Sequence, residues 1–150
     1  MQTSIRTVFS VCVAFATLCA AAAEEPTGRE TPTQFTLAAD GRAEHPVIIS
    51  PKAGETVRQV AEELAGYLTR ITGATFEVSE GGGSRGILLG TIAEFPFADL
   101  TEALEIRNTY DGREAYAIRT ERDRLLLIGA TELGASHAAF RLLEDLGCRW

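Results

Sequence analysis

The feature that most constrains the fold is an alternation of short apolar segments with two amphipathic helices. The first helix is predicted from apolar side chains that recur every three or four residues, at Val57, Val60, Ala61, Leu64, Leu68 and Ile71. Gly73 follows the last apolar position and can adopt the left-handed conformation that ends a helix. Because a helix with one apolar side buries it against another layer, we expect this helix to cover a sheet and to face water with its polar side.

Short segments of apolar or alternating character supply the strands. Strands are predicted at residues 35–38, 46–50, 75–79, 87–89, 114–120 and 125–128. The continuous apolar segments among them favour strands that are covered on both faces. The predicted fold class is therefore α/β (α+β), with a small mixed β-sheet and two main helices. Residues 40–41 and the glycine-rich residues 81–84 are predicted turns, the latter a hairpin turn, and residues 93–111 show no firm period beyond one helical turn around Leu100.

The last helix, predicted at residues 131–146, has an unusually wide apolar arc. About half of its circumference is filled by apolar or small side chains, which are Leu133, Ala135, Ser136, Ala139, Phe140, Leu142, Leu143 and Leu146. Such an arc favours two neighbours, and a sheet covers only one flank. Residues 148–150 resemble the start of a further strand. We therefore expect the natural architecture to continue past Trp150.

The amino terminus is typical of a secretory signal. Arg6 supplies a positive charge, residues 8–18 are apolar, and small residues precede a predicted cleavage between Ala23 and Glu24. An uncleaved anchor is the alternative, but the apolar segment is shorter than the roughly 20 residues that span a bilayer. Cleavage leaves 127 of the 150 residues, with a disordered leader at residues 24–34 and one domain at residues 35–150. We expect export to the periplasm or the medium, with no membrane attachment after cleavage.

Charge and cysteine content narrow the classes of partner. Removing Arg6 changes the formal net charge from −7 to −8, which disfavours nucleic acid and anionic lipid as partners. Cys12 and Cys19 lie in the signal, so Cys148 has no partner for an intramolecular disulfide in the mature chain.

The sequence offers little evidence for a catalytic group anywhere in the chain. Two adjacent acidic pairs, Glu62 with Glu63 and Glu144 with Asp145, lie on the polar sides of the predicted helices, where solvated charge is the ordinary interpretation. His45 and His137 have no further ligand at metal-binding spacing, and Cys148 is interpreted as a buried thiol. We predict no catalytic residue, no cofactor and no metal.

Two glycine-containing segments are candidate anion sites. The glycines at residues 81–86 precede a strand and lack the lysine and helix start of a phosphate-binding loop. The junction at residues 128–134 runs from strand to helix amino terminus, a geometry that can hold an anion, but Glu132 in the first turn would repel a phosphate.

Three segments carry a family resemblance. They are the helix VAEELAGYLTRITGA at residues 60–74, the strand GILLGT at residues 86–91 and the closing segment at residues 112–150. Together they resemble the amino-terminal α/β domain that precedes the catalytic barrel in α-glucuronidases and, more distantly, in β-hexosaminidases and α-N-acetylglucosaminidases. The nearest likeness is to exported bacterial glycoside-hydrolase-like proteins. The resemblance implies a non-catalytic domain whose partner is a barrel, and no catalytic residue carries over to this chain.

Three hypotheses follow. In the first, the domain supports a carbohydrate-active barrel and has no hydrolase activity by itself, although its parent family hydrolyses O-glycosyl bonds. In the second, it is a free-standing exported module that binds a glycan through exposed aromatic side chains, namely Tyr67, Phe95, Phe97, Tyr110 and Trp150. In the third, it is a truncated, non-functional gene product.

Overall fold

The computed structural model describes residues 34–108, 110 and 112–150. The predicted signal, its cleavage site at Ala23 and Glu24, and all of the leader except Gln34 lie outside the described residues. No helix in the described part of the chain is both long and apolar enough to span a membrane.

Seven strands and three helices follow one another along the described chain. The strands are β1 (Ala38–Ala39), β2 (Arg42–Ala43), β3 (Val47–Ile49), β4 (Val78–Glu80), β5 (Gly86–Thr91), β6 (Tyr116–Thr120) and β7 (Arg124–Gly129). The helices are α1 (Glu55–Thr72), α2 (Ala98–Thr101) and α3 (Glu132–Asp145). β1 and β2 form a separate antiparallel pair, and the other five strands form a mixed sheet in the order β4-β3-β5-β7-β6. The predicted α/β class with a mixed sheet and two main helices is confirmed.

The pairing within the main sheet is parallel except at one edge. β3 pairs in parallel with β4 and β5, and β5 pairs in parallel with β7. β6 pairs antiparallel with β7, with Ile118 opposite Leu127. β6 and β7 are joined by a short turn at residues 121–123, which accounts for their antiparallel direction.

Both long helices cover the same face of the sheet. Apolar side chains of α1 and α3 are buried there against alternate residues of the strands, such as Val47, Ile87 and Leu127. The two helices also contact each other. The left-handed Gly73 ends α1, with its backbone N–H donating to the carbonyl of Thr69, as predicted. This face contains the larger part of the core.

The opposite face of the sheet is covered by irregular chain. We call residues 92–104 the strap, because this segment lies across the second face. Phe95 and Leu104 of the strap are buried against Leu88, Leu126 and Ile128. The strap includes α2, which matches the single helical turn predicted near Leu100.

Crossover handedness explains why the chain uses both faces. From β3 the chain moves through α1 to β4 at one edge, then back past β3 to β5 and on to β7. Parallel crossovers are right-handed, so moves in opposite directions across a sheet must pass over opposite faces. The link from β4 to β5 therefore lies on the face opposite α1.

The glycine-rich segment is not the predicted hairpin turn. β4 and β5 are both parallel to β3, which separates them, so residues 81–85 carry the chain back over β3. A side chain would not fit in this link, because a Cβ at Gly83 would lie 2.8 Å from Leu88 Cδ2. Gly83 also has a positive φ of 79°. Sequence spacing carries no sign that the neighbouring strands are parallel.

The expected missing neighbour of the last helix is supplied by α1. The sheet covers one flank of α3 and α1 covers another, so an earlier element of the chain provides the neighbour expected beyond Trp150. The arc is still only partly enclosed, since Leu133 is 47% exposed and Leu146 is 37% exposed. Residues 148–150 do not form the predicted strand. The Gly147 N–H donates to the Glu144 carbonyl and the chain turns back towards the two helices.

Candidate functional site

A cleft opens at the carboxyl ends of the parallel strands, beside the start of α3. Two adjoining hollows of about 500 Å³ and 190 Å³ share Arg113 and Thr131. We call this the sheet-end cleft, and its lining residues are Thr56, Ile106, Asn108, Arg113, Thr131, Glu132, Leu133 and Ser136. In open α/β sheets this end of the strands is where ligands are usually found.

The Thr131 side chain holds the loop before β6 against the start of α3. The Thr131 hydroxyl donates to the Arg113 carbonyl over 2.5 Å and accepts from the Gly134 N–H over 3.4 Å. Gly134 permits this approach, because a Cβ there would lie 2.3 Å from the Ala115 carbonyl oxygen. The floor of the sheet-end cleft is therefore fixed.

The rim of the sheet-end cleft is apolar and carries a cation. Leu133 and Ile106 are 47% and 45% exposed, a large fraction for side chains of this size. Arg113 makes no ion pair with another described residue. Exposed apolar side chains around a cation suit contact with another protein surface better than they suit acid–base chemistry.

The carboxylate of Glu132, in the first turn of α3, lies close to the start of α1. Glu132 Oε1 would lie only 1.8 Å from a Cβ placed on Gly54, the residue that precedes α1. The carboxylate thus lies beside the amino terminus of α1 as well as in the first turn of α3, where it complements both helix dipoles. This supports the interpretation that Glu132 disfavours phosphate at residues 128–134.

A second cleft, of about 410 Å³, adjoins the carboxyl end of α3. We call it the aromatic cleft, and it is lined by Arg141, Glu144, Asp145, Cys148, Arg149 and Trp150. The Trp150 ring makes edge contacts with Tyr67 of α1 and Phe140 of α3, with centroids 5.3 and 5.4 Å apart. Trp150 nevertheless remains 63% exposed. The two contacts orient the indole in the groove between the helices without covering it.

The acidic pair in the aromatic cleft is not arranged for glycoside hydrolysis. Arg141 contacts both carboxylates, at 3.7 Å from Glu144 and 2.9 Å from Asp145. Glycosidases place two carboxyl groups on either side of a sugar, roughly 5 to 9.5 Å apart, and one of them is protonated. Here, by contrast, both carboxylates are paired with the same guanidinium.

The remaining predicted candidates are dispersed. His45 stacks on Phe35 with ring centroids 4.5 Å apart, and His137 meets Tyr116 at 6.5 Å. Cys148 is only half-buried, packing partly against the core, and is not the fully buried thiol that was expected. Glu62 and Glu63 are exposed on α1. Among the described residues, no group of three or more histidine, cysteine, aspartate or glutamate side chains could hold a metal ion.

Only two of the five aromatic residues proposed for glycan binding come together. Tyr67 and Trp150 are in contact in the aromatic cleft. Phe95 is buried beneath the strap and is 4% exposed, whereas Tyr110 is 88% exposed in a separate loop. Phe97 is covered by two guanidinium groups, those of Arg119 at 5.7 Å and Arg124 at 5.0 Å from its ring centroid.

Those two arginines belong to an ion-pair network that fastens the strap to the sheet. Arg119 contacts Asp99 and Glu121, and Arg124 contacts Glu121 and donates to the Gly83 carbonyl. Partial burial alone would raise the pKa of Glu121, but hydrogen bonds from Arg124 and Arg119 outweigh it and lower that pKa below its ordinary value of 4.5. Burial opposes the charged form of Arg119 as well, yet its hydrogen bonds and the charges of Asp99 and Glu121 raise its pKa.

Sequence reasoning misses several residues of these surfaces. The helical period places Phe140 in the buried arc of the last helix, although its ring also supports Trp150. Arg113, Ile106 and Arg149 lie in segments without a period, so no pattern points to them. The acidic residues between Asp99 and Glu121 are a visible signal for the network, because arginines occur among them.

Comparison with known families identifies the class of domain. Residues 36–142 match the family model described as the glycosyl hydrolase family 67 N-terminus. The match covers well over half of the chain, and the chain therefore belongs to this family of glycoside hydrolase N-terminal domains. The predicted likeness to the amino-terminal domain of α-glucuronidase-like enzymes is confirmed. No curated protein matches the chain.

The solved structures that match this chain include two glycoside hydrolases. A family GH115 4-O-methyl-α-glucuronidase with specificity for decorated arabinogalactans matches with 21% identity and a TM-score of 0.51 over 72% of this chain. A GH138 enzyme targeting pectin rhamnogalacturonan II matches with 16% identity and a TM-score of 0.47 over 67% of this chain. The matched parts are 14% and 13% of those proteins, so this chain spans a small fraction of their length.

Proposed function

We propose that this chain is the non-catalytic amino-terminal domain of an exported, α-glucuronidase-like glycoside hydrolase and that it packs against a catalytic barrel. The observation that carries the proposal is the family match over residues 36–142, which belongs to the N-terminus of such enzymes. The small share of the GH115 α-glucuronidase that this fold occupies also fits a domain whose catalytic partner lies elsewhere.

The arrangement of acidic residues supports a non-catalytic role. The aromatic cleft contains two acidic side chains, and both of them are held by Arg141. We expect the purified chain to show no turnover of aryl α-glucuronides or glucuronoxylan. Robust turnover that persists after Glu144→Gln and Asp145→Asn would contradict the proposal outright, and turnover lost in those variants would contradict it while identifying the catalytic pair.

The sheet-end cleft is the surface best suited to the barrel. Its rim combines exposed Leu133 and Ile106 with Arg113, so that docking would bury apolar area and leave the cation able to meet a carboxylate. The reading frame beyond the codon for Trp150 provides the first test. A frame that encodes a barrel is expected, and a frame that encodes none would overturn the proposal.

Association of the two domains tests the surface itself. With the barrel produced separately, we expect Leu133→Asp to weaken its binding to this chain at least tenfold. Ile71→Asp is the matched control, because Ile71 is 42% exposed on α1 at the other end of the domain. Equal loss in both variants would exclude the sheet-end cleft as the docking surface.

Export is a separate part of the proposal. The positive Arg6, the apolar residues 8–18 and the small residues before Glu24 support cleavage after Ala23. Amino-terminal sequencing of the protein recovered from the periplasm or the medium should begin at Glu24. Recovery of the uncleaved chain in the membrane fraction would favour the anchor instead.

A further inference from the structure

The outer edge of β6 carries backbone groups that pair with no other described strand. β6 ends the strand order of the main sheet and pairs only with β7. At the two ends of this pair, the Ala115 carbonyl and the Glu121 N–H bond to the chain on the β7 side. Because hydrogen bonding alternates along an antiparallel pair, odd-numbered residues of β6 face β7 and even-numbered residues face outward. The outward residues are Tyr116, Ile118 and Thr120.

We propose that this edge is a self-association surface, at which β6 pairs antiparallel with β6 of a second copy of the chain. The two five-stranded sheets then form one continuous sheet. This interaction goes beyond the proposed function, because it needs neither a barrel nor hydrolysis.

β6 lacks the features that usually protect an edge strand from pairing. Its five residues contain no proline or lysine, and they pair one to one with β7 without a bulge. β4, at the opposite edge, is only three residues long, and its last residue, Glu80, forms an ion pair with Arg58. Of the two edges of the main sheet, β6 therefore offers the longer regular row of donors and acceptors.

Chain that continues from α3 is directed away from this edge. α3 lies on the same face of the sheet as α1, and α1 carries the chain from β3 to the β4 side. Since parallel crossovers are right-handed, a crossover from β7 through α3 leads towards the β4 side as well. Trp150 accordingly contacts Tyr67 of α1. The barrel is assigned to the sheet-end cleft, at the ends of the strands rather than along β6.

One register uses all three outward residues. A twofold axis perpendicular to the sheet at Ile118 places this residue opposite Ile118 of the second copy, and Tyr116 opposite Thr120 of the second copy. Each of the three resulting pairs can exchange two backbone hydrogen bonds. Any other twofold register leaves at most two such pairs, so the symmetric arrangement about Ile118 is favoured.

The side chains on the helix-covered face are compatible with this register. Tyr116 is 40% exposed and its ring contacts His137 of α3, which places it on that face. The register sets it opposite the branched side chain of Thr120 from the second copy. Cross-strand pairs of an aromatic and a β-branched side chain stabilise sheets, and this pair would cover part of the exposed ring.

The charges are self-complementary in the same register. Arg119 lies opposite Ala117 of the second copy, whereas a register centred on Arg119 would set two guanidinium groups against each other. Just beyond the strand ends, the exposed Glu114 lies opposite the exposed Arg122 of the second copy. This pair of opposite charges occurs twice, because the arrangement is symmetric.

Sedimentation equilibrium of the purified chain measures the association. We expect the average mass to rise from one chain to two, with a dissociation constant on the order of 100 μM, because a single pair of strands buries less than a standard interface. Thr120→Pro should raise that constant at least tenfold. The Thr120 N–H faces outward, so proline there blocks edge pairing without removing a hydrogen bond to β7.

Glu80→Pro is the matched control at the other edge. The Gly81 N–H donates to the Ile49 carbonyl, so the N–H of the preceding Glu80 also faces outward. This variant should associate as the parent does. Far-ultraviolet circular dichroism checks that both proline variants are folded.

Amide hydrogen exchange, followed by nuclear magnetic resonance, locates the contact in the parent chain and does not depend on any variant. The outward amide of Ile118 should exchange more slowly at high protein concentration than at low concentration. The amides of Ala117 and Arg119 face β7, so they should be protected at both concentrations and serve as internal controls.

Three results would overturn the proposal. They are a single-chain mass up to about 1 mM, which is well above the expected constant; association that Thr120→Pro leaves intact; and association without protection of the Ile118 amide. Dissociation of the dimer by a separately produced barrel would also overturn it, while leaving the partnership with the barrel in place. A barrel that does not bind, with the dimer intact, would contradict only the proposed function.

Discussion

At the scale of single residues, one glycine decides whether the chain can cross the second face of the sheet. Gly83 has a φ of 79°, and its backbone passes so close to the core that an added Cβ would lie 2.8 Å from Leu88 Cδ2 and 3.0 Å from Phe95 Cδ1. Its carbonyl also accepts from Arg124. Both the backbone conformation and the lack of space therefore require glycine here.

Gly83→Ala should lower the free energy of unfolding by about 2 to 4 kcal/mol, because strain at positive φ adds to overpacking against Leu88. Gly82→Ala is the matched control, since no described atom lies within 4 Å of its Cβ position. That variant should change the stability by no more than about 0.5 kcal/mol. Urea denaturation measures both, and equal effects would show that residues 81–85 do not pack as described.

At the scale of elements, side chains rather than regular backbone pairing join neighbouring segments. Thr131 caps α3 and also holds the loop before β6 through the Arg113 carbonyl. Glu121 bridges the two arginines that cover Phe97 of the strap. Each contact fastens a loop to a neighbouring element, so these positions control how loops sit on the sheet.

Thr131→Ala should reduce the stability by about 1 to 2 kcal/mol, because it removes the cap and the link to Arg113 together. Thr131→Ser keeps the hydroxyl and should recover most of the loss. Thermal unfolding of the three proteins provides the comparison. A serine variant as unstable as the alanine variant would mean that the methyl group, rather than the hydrogen bonds, matters.

The ion-pair network predicts a specific dependence of stability on pH. Because the pKa of Glu121 is lowered in the folded protein, its contribution is complete above the ordinary value of 4.5 and is lost as the pH falls through the lower folded value. At pH 7, Glu121→Gln should cost about 1 kcal/mol, a modest value because the side chain remains 28% exposed. The difference between the two proteins should shrink in acid.

Denaturant unfolding at pH 7 and near pH 3 tests this expectation. Glu80→Gln is the control, since Glu80 pairs with Arg58 while 51% exposed and should have a smaller effect at pH 7. If the difference in the free energy of unfolding between Glu121→Gln and the parent is the same at pH 7 and near pH 3, the assigned role of the network is wrong.

Sequence patterns predict the elements better than their arrangement. The period of α1, the left-handed Gly73 and the buried segment at residues 125–128 each follow from local chemistry and are confirmed. The path at residues 81–85 and the neighbour of α3 depend on which strands pair, and pairing over long distances leaves no local pattern. For the same reason the sequence could name Trp150 and Tyr67 but not their contact.

At the scale of the whole molecule, one sheet separates two hydrophobic cores that are covered by different kinds of structure. Two helices cover one face, and the strap with the glycine-rich link covers the other. Leu127 and Leu126 are adjacent in β7 and fully buried, one on each face. Because a single strand carries both side chains, we expect the two cores to unfold together.

Leu126→Ala and Leu127→Ala should each cost about 2 to 5 kcal/mol, whereas Leu133→Ala, at a position 47% exposed, should cost less than about 1 kcal/mol. Trp150 emission reports on α1 and α3, and circular dichroism reports on the whole chain. Coincident transitions are expected in the parent and in all three variants. An earlier loss of one signal in Leu126→Ala would show that the second face opens independently.

The short link from β4 to β5 limits the length of the edge strand β4. Connections between parallel strands of one sheet usually need a dozen or more residues, but here residues 81–85 join β4 to β5 across the intervening β3. A tether of that length reaches only about 3.5 Å per residue, so it can double back along strands of three residues, such as β3 and β4, with little slack. Any homologue with a longer fourth strand must lengthen this tether by a matching amount.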